Sequence, residues 1–166
     1  MPDKRTMQRV ERDRKQGKSA STQAGEFVRE EIDHIRAGKH GARSAGQAIA
    51  IGLSKARRAG VGLPPPGSGA SPRVRRKAAR DSAAGHRGDG GVSARRSRAT
   101  TGALKRAPRV AASTQALSRQ ARAAASRRSA ASRSASARKA AATKGAAARS
   151  IAAHRAARTR AAHAGR

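Results

Sequence analysis

The sequence contains no cysteine, tyrosine or tryptophan and only one phenylalanine among 166 residues. The absence of cysteine excludes disulfides, zinc sites with thiolate ligands and thiol catalysis. The scarcity of aromatic rings argues against single-stranded nucleic acid as the partner, because such binding relies on bases stacking on aromatic side chains. The longest strongly apolar stretch, residues 48–53, is also far too short to cross a bilayer.

Acidic residues are scarce as well. Nine Asp and Glu stand against 39 Lys and Arg, so the formal net charge is +30. A compact state of such a chain would repel itself, which favours a polyanionic partner and nucleic acid first. Most of the cations are arginines, whose forked donors suit phosphate. The predicted partner is duplex DNA, RNA is the other possibility, and no membrane partner is expected.

The large apolar residues that the chain does have are concentrated between residues 19 and 63. Their spacing predicts a helix over 22–37 that is capped by Ser21 or Thr22 and ends at Gly38. The apolar face of this helix is formed by Ala24, Phe27, Val28, Ile32 and Ile35. We therefore expect this face to form one side of a small core.

A second helix is predicted over 45–59, where Ser44 and Gln47 have the spacing of a capping box and Gly60 provides the stop. Its core face is formed by Ala45, Ala48, Ile49, Gly52, Leu53, Ala56 and Ala59. Small residues recur on this face every four positions, which lets another helix approach closely. The pattern predicts a helical hairpin with the first helix, and it would also suit a homo-oligomer formed through the small-residue face of 45–60.

Three consecutive prolines divide the chain, because proline ends helices and stiffens the backbone before it. The predicted parts are a charged segment 1–18 that can form a helix, a hairpin module 19–63, a linker 64–110 rich in Pro, Gly and Arg, and a basic tail 111–166 rich in Ala, Arg and Ser. The tail has too few large apolar residues to pack and should be disordered when free, or conditionally helical. The expected fold class is all-α, a small helical hairpin module followed by a long low-complexity tail.

Cations that follow the first helix are the predicted contacts to nucleic-acid phosphates. They are Lys55, Arg57, Arg58, Arg73, Arg75, Arg76, Lys77, Arg95, Arg96, Arg98, Arg119, Arg122, Arg127, Arg128, Arg133, Arg138 and Lys139. The face of the second helix opposite the predicted core also carries Gln47, Ile51 and Ser54. These three are candidates for partner contact, with Gln47 and Ser54 able to reach base edges.

Catalytic signals are missing. Glu30, His34 and His40 come nearest to a metal or acid–base cluster, with Glu30 and His34 one helical turn apart. The sequence offers no third well-placed ligand, so a solvated, salt-bridged helix face is predicted and no metal site. Neither a nucleophile with its base nor a phosphate-cradling glycine pattern can be assembled. We expect no enzyme, no catalytic residue and no cofactor.

Residues 21–66 include the stretches GEFVREEIDHIR, GKHGARS and QAIAIGLSKARRAG. This segment resembles the shared core of a family of small basic bacterial proteins that is grouped as a domain of unknown function. The resemblance implies a bacterial, DNA-associated protein and carries over no activity or site residue. The tail resembles the Ala-rich basic tails of linker histones and of bacterial histone-like proteins.

The predicted function is that of a histone-like, nucleoid-associated protein of the bacterial cytoplasm, which binds the backbone of duplex DNA with little sequence preference. One alternative is an adaptor whose hairpin binds a protein partner, with Ile51 as the anchor. Another is a regulator of the antitoxin or plasmid-maintenance type that reads sequence. A cationic membrane-surface peptide is disfavoured, because no segment combines large apolar residues with the cations of the tail.

Overall fold

A computed structural model describes residues 2–67, 69–87 and 94–164, except for the side chains of Arg96 and Ala164. The helices are α1 Lys4–Lys15, α2 Ala20–Arg36, α3 Ala45–Arg58, α4 Pro72–Arg87, α5 Ala94–Lys105, α6 Thr114–Ser126, α7 Ala130–Lys144 and α8 Ala146–Ala164, with a 3₁₀ turn at Val110–Ala112. No strand occurs in these ranges, which confirms the all-α class. The chain forms two compact units, Met1–Gln120 (unit 1) and Ala121–Arg166 (unit 2).

The ends of α2 and α3 follow the chemistry of their capping residues. The cap of α2 is Ser19, whose Oγ accepts from the Thr22 amide, so the helix begins two residues earlier than predicted. Ser44 caps α3 as predicted, because its Oγ accepts from the Gln47 amide at 3.1 Å. The Gln47 side chain, however, accepts from the amide of Arg43 at 2.8 Å instead of returning to Ser44.

The predicted pairing of the two central helices is present, since α2 and α3 pack directly against each other. Their closest approach is at Gly52, where an added Cβ would lie 2.6 Å from the Cα of Val28. Ala48 and Ala56, one turn to either side of Gly52, are fully buried. The small-residue face of 45–60 is thus occupied by α2 of the same chain, which removes it as a surface for a homo-oligomer.

The core of unit 1 consists of two apolar clusters. One surrounds Phe27 and includes Val10 of α1 and Val61 after α3. The other surrounds Ile35 and includes residues that the sequence placed in the tail, Ala111 and Ala112, with Leu117 of α6 packed against it. The Arg36 Nε donates to the carbonyl of Ala112 at 3.1 Å, which holds the 3₁₀ turn on α2.

The packed part of the chain therefore extends well beyond the module predicted to end at residue 63. In the predicted linker, α4 packs on α3 so closely that an added Cβ at Gly85 would lie 2.2 Å from the carbonyl oxygen of Arg57. Ser71 caps α4 and Pro72 takes its first position, where a missing amide proton does no harm. The sequence predicted a linker here because the small residues of this region bury little area and so give a weak apolar pattern.

Unit 2 contains α7 and α8, separated by Gly145 with a φ of 70°. The structure thus has helices where the sequence favoured disorder in the free chain. Nearly all side chains described in this unit are exposed, and α7 buries none. Within the described ranges, no helix combines the length and apolarity that a membrane crossing requires.

Candidate nucleic-acid interface

The cations predicted on α3 are engaged inside unit 1. Lys55 Nζ lies 3.1 Å from Glu30 Oε1 and 2.8 Å from Glu31 Oε2. Burial alone would lower the pKa of Lys55, but the two carboxylates outweigh it and raise the pKa above its ordinary value of 10.5. Lys55 is charged and already paired with two carboxylates of its own chain, so a phosphate would have to compete with them for this predicted contact.

The carboxylate of Asp81, on α4, contacts three polar side chains, two from α3 and one from α4. Its carboxylate lies 2.9 Å from Arg58 Nε and 2.7 Å from Lys77 Nζ, and it accepts from Ser54 Oγ at 2.6 Å. Burial tends to raise the pKa of Asp81, yet the hydrogen bonds from Lys77, Ser54 and Arg58 together lower it below its ordinary value of 3.8. Ser54 is therefore a structural partner of Asp81 rather than a reader of base edges.

Replacing Asp81 by Asn is expected to lower the free energy of unfolding at pH 7 by about 1–2 kcal/mol, because Arg58 and Lys77 lose a buried carboxylate but remain half-exposed to water. A lowered folded-state pKa means that ionised Asp81 contributes stability above pH 3.8 that is lost as the pH falls through the folded-state pKa. The free energy of unfolding should therefore fall less steeply with decreasing pH in the variant than in the unmodified chain.

Urea unfolding at pH 7, 5, 4 and 3 measures both effects. The matched control is Asp33→Asn, because the Asp33 side chain is 58% exposed and its Arg29 partner is 3.9 Å away. The control should unfold like the unmodified chain at pH 7. Equal stability of the Asp81 variant and the unmodified chain at every pH would contradict the role assigned to Asp81.

The other predicted contacts on α3 are also partly covered. Ile51 is half-buried in a groove that α3, α4 and α5 line, so it is not the exposed anchor that the adaptor alternative requires. Gln47 lies in the same groove with its carbonyl oxygen bound to the Arg43 amide. Arg57 is half-buried and donates from Nη2 to the carbonyl of Pro64 at 3.2 Å.

A basic stripe lies on the exposed side of α4. Arg73, Arg76, Lys77 and Arg80 are all exposed, and their spacing places them within an arc of about 100° on the helix. Arg80 is absent from the contacts predicted from the sequence, although it shares this face with three of them. The helical spacing of cations in PRVRRKAAR was the signal that would have found it.

The remaining predicted contacts lie on α4 to α7. Arg75, on the side of α4 away from the stripe, is exposed and already has an interaction in the chain. Arg96 lies in α5, and its side chain is outside the described part. The others are exposed, namely Arg95, Arg98, Arg119, Arg122, Arg127, Arg128, Arg133, Arg138 and Lys139. The predicted contacts on α3 are thus bound to other groups of unit 1, whereas these later cations are accessible to solvent.

Acidic and histidine side chains meet at the carboxyl half of α2. This carboxylate–histidine cluster consists of Asp3, Glu30, Glu31, His34, His40 and Lys55. Glu30 and Glu31 are 3% and 1% exposed, so the prediction of a solvated helix face is wrong here. Although burial opposes it, hydrogen bonds from the Asp3 amide, Thr6 and Lys55 lower the pKa of Glu30 below its ordinary value of 4.5.

Every acidic residue in the described ranges has an internal partner. Each of these eight carboxylates has a Lys, Arg or His nitrogen within 4.0 Å. The partners on the basic side lie between Arg9 and Lys77. After Asp89, which is outside the described residues, the sequence has no acidic residue at all.

Comparisons of the chain with protein-family models, with curated proteins and with solved structures gave no match. The resemblance of residues 21–66 to a family of small basic bacterial proteins therefore stays a prediction. The function is accordingly inferred from the chain's own residues.

Proposed function

We propose that this chain is a non-enzymatic protein that binds duplex nucleic acid, in the first place DNA, by neutralising backbone phosphates. One observation carries the proposal: unit 2 holds 12 Lys and Arg and no acidic residue. No Asp or Glu lies in the same unit as these cations, whereas the eight described acidic residues of unit 1 each have a cation or histidine nearby. An external polyanion supplies the missing negative charge, as in histone-like, nucleoid-associated proteins of the bacterial cytoplasm.

The distribution of charge in unit 2 supports contact with phosphates on several sides. At 100° per residue, Arg133, Arg138 and Lys139 point to widely separated sides of α7. Some guanidinium groups donate hydrogen bonds to backbone carbonyl oxygens, as Arg133 Nη1 does to Arg128 O at 2.7 Å. Phosphate oxygens are stronger acceptors for arginine than these carbonyls, so the side chains can exchange one for the other.

The helices of unit 2 should be stabilised by the bound polyanion. Alanine and arginine favour helix, but α7 buries no side chain and its cations repel one another. Phosphates that neutralise the cations remove this repulsion. We therefore propose that α7 and α8 depend on a bound polyanion. This accounts both for the helices in the structure and for the low apolar content of the sequence.

Low sequence preference is expected because the groups that the sequence offered for reading or stacking on bases are occupied within the chain. The single Phe27 is fully buried and cannot stack on a base. Gln47 and Ser54, the candidates for base edges, are hydrogen-bonded within the chain. The basic stripe of α4 adds further arginines, which suit phosphate contacts that position a protein on a duplex without specifying sequence.

The affinities for two unrelated DNA duplexes of equal length and base composition should agree within about threefold, because only phosphates are contacted. Fluorescence anisotropy with the full-length protein at fixed salt measures both. A duplex RNA of the same length tests the second polyanion. A preference of about a thousandfold for one DNA sequence would contradict the proposal and identify a sequence-reading regulator.

A further inference from the structure

Three side chains of the carboxylate–histidine cluster converge on one point. Glu31 and His34 lie three residues apart on α2 and thus on one side of the helix. His40 returns to them from the following loop, which Gly38 reverses with a φ of 75°. One ligand atom from each of the three residues lies within 4.8 Å of the others. The close third partner that the sequence did not reveal is Glu31, which is buried.

Glu31 brings a buried carboxylate to this point, and one of its two oxygens accepts no hydrogen bond. The side chain is 1% exposed, and its Oε2 accepts no hydrogen bond in the structure. Lys55 Nζ lies 2.8 Å from this oxygen, but without the geometry of a hydrogen bond. Lys55 balances the charge at Oε2, and the other oxygen, Oε1, faces His40 and is the one placed to bind an ion.

The hydrogen bonds of the two histidines prepare them as ligands. His40 Nδ1 lies 3.1 Å from the carbonyl of Gly41, and because a carbonyl only accepts, this contact places a proton on Nδ1 and makes Nε2, which faces Glu31 Oε1, the nitrogen that can bind a metal ion. His34 Nε2 lies 3.0 Å from Asp3 Oδ2, which leaves Nδ1 as its ligand atom. Metal-binding histidines commonly donate their second ring nitrogen to a carbonyl or a carboxylate in this way.

The spacing of the ligand atoms suits a tetrahedral ion. His40 Nε2 and Glu31 Oε1 are 3.2 Å apart. Two ligands bound tetrahedrally to zinc at its usual bond lengths are separated by about 3.3 Å. The rings of His34 and His40 meet edge to face, with an interplanar angle of 87° and centroids 6.2 Å apart. The two rings therefore do not stack face to face.

Charge in the cluster also favours a divalent cation. Asp3, Glu30 and Glu31 face Lys55, with Lys39 acting on Asp3 at the exposed edge. Three of the nine acidic residues of a chain with net charge +30 are thus gathered in one place. Two of these carboxylates, Glu30 and Glu31, are buried and share the single ammonium group of Lys55, and buried charge of this kind is stabilised by a further cation.

We propose that Glu31, His34 and His40 bind one divalent transition-metal ion through one carboxylate oxygen and two imidazole nitrogens, with water as the fourth ligand. Zinc fits best, because this ligand set and a tetrahedral arrangement are those it prefers. The ion ties the loop after α2 to the helix and, through Asp3, to the residues before α1. This site is independent of the proposed nucleic-acid binding.

Titration of the full-length protein with Zn²⁺, by calorimetry and by competition with a chromogenic chelator, tests the site. One equivalent is expected to bind, and His34→Ala and His40→Ala should each weaken binding by more than about tenfold. The matched control is His86→Ala, which removes an exposed histidine of α4 that bonds only to Ser82 O. The control should bind like the unmodified chain.

Two results would overturn the site. One is the absence of stoichiometric binding to the unmodified chain. The other is unchanged affinity in both His34 and His40 variants, with loss in a double variant of His154 and His163 instead. Where a variant does not fold by circular dichroism, Co²⁺ added to the unmodified chain decides: intense visible bands of a tetrahedral ion support the site, and weak bands of an octahedral ion exclude it.

Discussion

Replacing the 12 Lys and Arg of residues 121–166 by Gln is expected to remove most of the affinity for duplex DNA and to flatten its dependence on salt. Each phosphate contact releases counterions, so the logarithm of the binding constant falls by about 0.9 per contact for each decade of salt. If on the order of ten contacts form, doubling the salt weakens binding of the unmodified chain roughly 500-fold. The variant should show only the shallow slope of the contacts that remain in unit 1.

Glutamine suits this test because its helix propensity is close to that of arginine, so charge changes while the helical tendency is kept. Anisotropy titrations at four salt concentrations give both slopes. The comparison variant is Arg73→Gln, Arg76→Gln and Arg80→Gln, which removes the three arginines of the α4 stripe, leaves Lys77 paired with Asp81, and should reduce the slope by about 2.7 at most. The salt dependence of binding could instead stay steep in the variant of unit 2 and become shallow in the variant of the α4 stripe. This result would place the interface on unit 1.

Gly52→Ala is expected to destabilise unit 1 by roughly 3 kcal/mol, because the new Cβ meets backbone rather than a movable side chain. It would lie 2.6 Å from the Cα and 2.9 Å from the amide nitrogen of Val28. Relief requires α2 and α3 to move apart, which loosens the packing around Phe27 and Ile35 on both sides of the contact. The higher helix propensity of alanine recovers only about 1 kcal/mol.

Gly46→Ala is the matched control in the same helix. Its added Cβ would lie 3.5 Å from the Gln120 side chain, an ordinary contact, so the variant should be as stable as the unmodified chain or slightly more so. Urea denaturation of the full-length variants, followed by circular dichroism, compares the two, since unit 2 contributes the same signal to both. Equal stability of both glycine variants would show that α2 and α3 are farther apart than described.

The two proposals assign different work to the two kinds of charge in this chain. The acidic residues that the structure describes all lie in unit 1, where they form ion pairs that join its helices and the carboxylate–histidine cluster. The cations of unit 2 have no such partner and are left for an external polyanion. DNA binding and metal binding can therefore be removed separately, the first by the glutamine substitutions and the second by the His34 or His40 variant.

The sequence alone determined the features that depend on near neighbours along the chain. The spacing of Phe27, Ile32 and Ile35 predicted the buried face of α2, and Ser44 and Gly60 predicted the ends of α3. Such signals are readable because a helix places residues three and four positions apart on one face and because its ends need specific hydrogen bonds. The excess of positive charge could also be predicted from the sequence, because net charge depends only on composition.

Tertiary structure decided which charged groups meet. Asp81 finds Arg58 and Ser54 across 23 and 27 residues, and Asp3 finds His34 across 31, so no local pattern announces either contact. The burial of Ala111 and Ala112 was hidden for a related reason, because alanine looks the same in a core as in a low-complexity tail. Whether a charge stays free for phosphate depends on what folds against it, and in unit 1 that is settled by helices brought together from distant parts of the chain.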